Sequence, residues 1–138
     1  MVVDTSALIA ILMGEPDTET YARALANDQK KMISAFNALE SAIVIEAKKG
    51  EAGGREFDLL LHRARFEIIP LNGDQVELAL NAWRKFGKGR HPAGLNIGNC
   101  CAYALAKYSG ERLLFKGKDF SQTDIKPVIG TSPSNRDS

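Results

Sequence analysis

The sequence predicts an α/β fold: a mostly parallel sheet with helices on both faces. Three observations predict it. Short apolar runs near residues 1–4, 31–34, 67–71, 113–115 and 125–129 alternate with longer stretches of helical spacing. Strands separated by helix-length stretches join through right-handed crossovers, which makes neighbouring strands parallel and buries them on both sides. The 138 residues are 44% hydrophobic, enough for one ordinary core.

Taken in order, Met1-Val2-Val3-Asp4 reads as a strand that runs into a short helix over 5–13. Gly14-Glu15-Pro16-Asp17 breaks the chain, and a second helix is expected over 17–27. Lys31–Ser34 is a strand. Phe36, Leu39 and Ile43 then recur at helical spacing over 35–49, and Gly50 is read as the stop. Gly53-Gly54 precede a separate helix over 55–65. Residues 67–71 form a strand, and Asp74 opens a helix carrying Val76, Leu78, Ala79 and Trp83. A glycine-bearing basic loop fills 87–95. Asn96 can cap a helix that runs to Lys107, with Gly110 as its stop. Leu113–Phe115 is a strand. The run at 125–129 contains Pro127, which cannot donate to a central ladder, so it reads as an edge strand. The domain is placed at 1–130, with a polar tail at 131–138 expected to be disordered.

Charge narrows the function classes. Lys plus Arg is 18 and Asp plus Glu is 17, a net charge of +1. Bulk charge gives no reason to expect a polyanion partner, so nucleic-acid contact must come from local patches. Cys100 and Cys101 are adjacent, and successive helical residues do not face each other, so a disulfide between them is not expected. His62 and His91 are isolated, which removes zinc spacing. No GxxxxGK[ST], GxSxG or strand-linked GxGxxG occurs. No signal-type or membrane-length apolar stretch is present, and the expectation is a soluble cytoplasmic protein with no membrane partner.

Four scattered positions carry the chemistry: Asp4, Glu40, Asn99 and Asp119. Asp4 and Asp119 follow apolar runs, where open α/β sheets place their ligands. Glu40 and Asn99 fall near helix starts. Phosphodiester hydrolysis needs a positive centre near the phosphate and an activated water, and Mg²⁺ or Mn²⁺ can supply both. Such hard cations take oxygen ligands. Each residue also has a plainer reading. Asp4 can cap a helix, Glu40 can sit solvated on a polar face, Asn99 can be a first-turn polar residue, and Asp119 a turn acid. The run Arg84 to His91 concentrates positive charge around Phe86 and two glycines, and could grip a phosphate backbone or simply be a solvated loop.

These blocks, in order and at their spacing, resemble a PIN-domain ribonuclease of the VapC type, the toxin half of a toxin–antitoxin pair. The matching stretches are Met1 to Leu8, Ser34 to Glu40, Gly94 to Cys100, and Leu113 to Phe120 with Thr123-Asp124-Ile125. The resemblance implies an α/β/α sandwich with about five strands and endoribonuclease activity dependent on Mg²⁺ or Mn²⁺. It further implies an RNA substrate, a homodimer and a VapB-type antitoxin partner. Asp4, Glu40, Asn99 and Asp119 take the catalytic and metal-binding positions. Ser6 is assigned to orienting a carboxylate or water, and Arg84, Lys88, Arg90, Lys116 and Lys118 to holding RNA. Asn99 stands where the family has aspartate, so the resemblance implies an attenuated site. The alternative reading is a catalytically inactive PIN-domain module that binds RNA or protein.

Overall fold

The computed structural model describes residues 1–129. The tail at 131–138 lies outside the described residues. Four strands, β1 (Val2–Val3), β2 (Lys31–Ser34), β3 (Phe66–Ile69) and β4 (Leu113–Leu114), form one parallel sheet in the order β3-β2-β1-β4. Five helices accompany them: α1 (Thr5–Leu12), α2 (Thr18–Asn27), α3 (Ala35–Arg63), α4 (Gly73–Phe86) and α5 (Ile97–Ser109).

The two-residue period of each strand divides the core. Val2, Met32 and Leu113 pack with Ala82, Leu95, Tyr103 and Leu105 of the α4–α5 side. Their neighbours Val3, Ile33 and Leu114 pack with Leu8, Tyr21, Leu25, Ile45 and Phe57 of α1, α2 and α3. This is a three-layer α/β/α arrangement, and its strands are apolar on both faces because both are covered.

Chain order reverses at β1. The chain leaves β1 toward β2 on one side and later returns as β4 on the other. The crevice at the carboxyl ends of β1 and β4 is therefore the switch point where such sheets bind ligands. Asp4 stands at that edge, and its backbone N–H still donates to the Leu114 carbonyl at 2.9 Å.

Among the described residues the sheet has four strands, close to the about five expected. The run at 125–129 contributes one bridge, Leu113 to Pro127, flanked by bonds from Leu113 N to Lys126 O and from Val128 N to Leu113 O. Proline interrupts the ladder that would extend it. α3 is two helices across a kink: Gly50 leaves helical geometry at φ 69° and ψ −164°, so the first helix stops where the sequence puts its end, while the second begins before the expected residue 55. Glycine adopts that backbone without steric cost. Gly53 does not break the second half. It is buried, and a Cβ there would crowd Lys49 and Ile45.

Candidate functional site

Asp4 is the N-cap of α1. Its extended backbone (φ −83°, ψ 153°) lets Oδ2 accept from Ser6 N at 3.0 Å. The side chain is 1% exposed, and Oδ1 is buried without a hydrogen-bond partner. Burial pushes the carboxyl up to about 6, opposed by hydrogen bonds from Ser6 and Asn99 and reinforced by the nearby negative Glu40.

Glu40 reaches this point from α3, whose N-cap Ser34 ends β2 and accepts from Phe36 N. Thr5 Oγ1 donates to Glu40 Oε1 at 2.7 Å. Asn37, fully buried three residues before Glu40 and so on the same helix face, donates from Nδ2 toward Thr5 Oγ1 (3.2 Å), Gly98 O (3.0 Å) and Glu40 Oε1 (3.4 Å). Gly98 is where α5 comes closest to the carboxylate. A Cβ at 98 would lie 2.5 Å from Oε1 and 2.7 Å from Oε2 of Glu40. Glycine is required there by close approach, not by its backbone angle.

Asn99 occupies two roles in one geometry. It is the third residue of α5 and forms a capping box with Asn96: Asn99 N donates to Asn96 Oδ1 at 2.9 Å, and Asn96 N donates to Asn99 Oδ1 at 3.1 Å. With its oxygen accepting from Asn96 N, the Asn99 side chain still lies near enough to Asp4 to lower that carboxyl. Residue 99 is thus both a first-turn capping residue and a neighbour of Asp4.

Asp4, Glu40 and Asn99 are thus gathered at the switch point. Asp119 is not joined to them by any hydrogen bond among the described residues. It is exposed as the first residue of a 3₁₀ turn, Asp119–Gln122, beyond β4. Among the described residues, no three of His, Cys, Asp and Glu stand close enough together to hold a metal ion. What gathers is two carboxylates, with the Asn99 oxygen already accepting from Asn96 N. The carboxylate oxygens suit a hard divalent cation that keeps several waters, and the orphaned Asp4 Oδ1 is an acceptor such an ion would satisfy.

Ser6 Oγ accepts from Lys116 N at 2.9 Å and so ties the chain leaving β4 to α1. Lys116 Nζ is 2.7 Å from Glu15 Oε1 and 4.0 Å from Asp17, so its charge is already partnered. Lys118 is exposed. Arg84 donates to Asn81 at 3.3 Å, and Arg90 lies with its guanidinium 4.4 Å from the centre of the Trp83 ring. Lys88 sits at the end of a groove of ≈ 460 Å³ whose walls include Leu71, Val76, Leu80, Trp83 and Ile97. Cys100 and Cys101 are free and buried at its floor, and burial pushes both thiols up to about 11.

Sequence reasoning missed Thr5, Asn37 and Gly98 as parts of this constellation. The signal for Asn37 was its three-residue spacing from Glu40, which places both on one helix face. Gly98 carried no signal, because its role depends on how closely α3 and α5 approach.

A family model described as "PIN domain" matches residues 1–126. Ribonuclease VapC30 of Mycobacterium tuberculosis is 53% identical over 128 residues, covering 93% of this chain and 98% of that protein. Ribonuclease VapC of Mycolicibacterium smegmatis is 54% identical over 128 residues, covering 93% and 99%. Among solved structures, Mycobacterium tuberculosis VapC20, a sarcin–ricin loop cleaving toxin, superposes with a TM-score of 0.74 at 16% identity, covering 90% of this chain and 95% of that one. A toxin–antitoxin complex from Klebsiella pneumoniae gives 0.69 at 18% identity, covering 94% and 95%. With the whole of the described α/β/α unit matched in this way, the chain belongs to the PIN-domain family of VapC ribonucleases.

Proposed function

We propose that this chain is an endoribonuclease toxin of a VapBC-type pair, dependent on Mg²⁺ or Mn²⁺ and attenuated by Asn99. The observation that carries the reading is the buried, partnerless Oδ1 of Asp4 beside Glu40 and Asn99. A carboxylate oxygen buried without a partner is costly, and an ion at that oxygen would satisfy it. When bound, the ion supplies a positive centre at the scissile phosphate and makes its water a better nucleophile.

The protein's own contribution is to hold oxygens in place. Asp4 is fixed by the α1 cap, and Glu40 by Thr5 and Asn37. Asn99 brings no charge, so the site carries one negative charge fewer than it would with an aspartate there. Asp119, exposed at the start of the 3₁₀ turn after β4, is assigned to the same site as a metal-binding carboxylate. Lys118, Arg84, Lys88 and Arg90 hold RNA phosphates, and Ser6 keeps the chain after β4 against α1. The partner is an antitoxin that covers the site, and the compartment is the cytoplasm. No helix among the described residues is long and apolar enough to cross a membrane.

The chain also forms a homodimer in this reading, with the groove walls of α4 and the start of α5 put in place of the first-half helices that Leu8, Leu12, Met13 and Phe36 suggest from the sequence. Val76, Leu80, Trp83 and Ile97 are 50%, 43%, 40% and 67% exposed there. Leu8 is buried in the core and leaves Met13 as the main exposed apolar residue at the end of α1.

The test is cleavage of RNA by the purified chain and by Asn99→Asp at equal metal. Asn99→Asp should cut faster by ~10²–10³, the usual effect of one electrostatic group, and stop with chelator. Equal rates would remove Asn99 from the site. No metal-dependent cleavage by either protein, with RNA still bound, would favour the inactive binding module.

A further inference from the structure

We infer that Asn37 is a positioning residue that fixes Glu40 against the first turn of α5. The inference rests on the ion-binding reading above. Asn37 is 0% exposed, and its Nδ2 faces three acceptors on three elements: Thr5 Oγ1 of α1, Glu40 Oε1 of α3 and Gly98 O of α5. An amide nitrogen has two hydrogens, so these acceptors compete for them. The shortest contact, 3.0 Å to Gly98 O, spans from α3 to α5. A second passes along a relay, from Asn37 to the Thr5 hydroxyl and from that hydroxyl to Glu40 Oε1 at 2.7 Å.

The oxygen end shows which way the amide is set. Asn37 Oδ1 is buried with no partner. Turning the amide over would aim that oxygen at the Gly98 carbonyl and the Glu40 carboxylate, oxygen against oxygen. The cluster therefore fixes the orientation and leaves the acceptor unsatisfied. A residue that served only packing would be replaced by an apolar one without loss; this one keeps a donor at the junction of the three helices that carry Asp4, Glu40 and Asn99. Gly98 complements it, because the missing Cβ lets the Glu40 carboxylate lie against the backbone whose carbonyl Asn37 holds. Together they set how far Glu40 stands from Asn99.

The experiment uses the Asn99→Asp chain as parent and adds Asn37→Ser, Thr5→Val and the pair. The readout is Mn²⁺ affinity, from the loss of the free-ion EPR signal, with thermal unfolding measured in parallel. Each single change should weaken Mn²⁺ binding by about 10–100-fold, as expected for removal of a partner that orients a ligand. The pair should be no weaker than the worse single change, since both cut one relay. At saturating Mn²⁺, kcat for RNA should fall while KM stays near the parent's. A purely structural Asn37 would lower the unfolding temperature and leave Mn²⁺ affinity unchanged well below it, and that result overturns the inference. Fully additive losses overturn it too. If Asn37→Ser does not fold, Thr5→Val alone decides by the same criterion. A parent that fails to bind Mn²⁺ overturns the functional reading and this inference together.

Discussion

Replacing Asp4 by Asn should make the metal-free protein more stable, although it destroys the proposed site. Asparagine caps a helix about as well as aspartate, so the bond from Ser6 N survives. What disappears is a buried charge. The carboxyl is held at about 6 against an ordinary 3.8, which amounts to roughly 3 kcal/mol against its ionised form at neutral pH. The favourable contributions of Ser6 and Asn99 to the charged form are already contained in that value. The gain is therefore ~3 kcal/mol, or about 10 °C in Tm for a chain of this size.

The sign with pH follows from linkage. Because the folded value lies above the unfolded one, the folded state binds more protons between them. Stability therefore falls as pH rises through that window and is flat above it. In chelator, Asp4→Asn should exceed the parent at about pH 7, and the gap should close on acidification to about pH 5. Adding Mn²⁺ at neutral pH should reverse the order. The Asn99→Asp parent gains ~4.1 kcal/mol at a thousand times its Kd, and its Asp4→Asn derivative gains nothing. Thermal unfolding across this grid is the assay. An Asp4→Asn protein less stable than its parent in chelator at neutral pH would refute the reasoning, since the carboxylate would then have a partner that this structure lacks.

Other outcomes can be stated briefly. Lys116→Ala should change stability little and leave RNA affinity nearly unchanged, because that charge is already paired with Glu15; Lys118→Ala should weaken binding and reduce the salt slope by about one. Filter binding at several salt concentrations separates them. Leu80→Glu should convert the dimer to a monomer in sedimentation with the circular dichroism spectrum intact, because Leu80 is on the groove wall and not in the core. Tyr103→Phe should cost ~1 kcal/mol by removing the 2.6 Å bond to Asp124. Burial works against the Asp124 charge, but hydrogen bonds from Lys107 and Tyr103 hold its carboxyl below the usual range, so this loss should shrink in urea titrations as pH falls through the carboxylate range.

Local rules made much of the fold legible. Lys31–Ser34 is a strand at the expected bounds, Asn96 caps α5, and Gly110 ends it at φ 74°. Those features depend on a few neighbouring residues. The stop at Gly50 was legible, but the helical state of Gly53-Gly54 was not, because a glycine pair reads as a break until Lys49 and Ile45 are seen to occupy the space a Cβ would need. The run at 125–129 reads as an edge strand and forms one bridge at the β4 edge. The place of Asp4 after β1 was legible from the apolar run before it. Asn37 was not, since its meaning lies in acceptors 32 and 61 residues away.

The cap at the start of α5 asks of residue 99 only an oxygen that can accept from Asn96 N. Aspartate supplies that oxygen as readily as asparagine, and its charge suits a helix N-terminus. Asparagine and aspartate codons differ by one purine transition. On the proposed function, one base change would exchange a neutral for a charged group at position 99 while leaving the capping oxygen in place. The cost of the exchange would then fall on the buried Asp4 carboxyl and not on the helix cap.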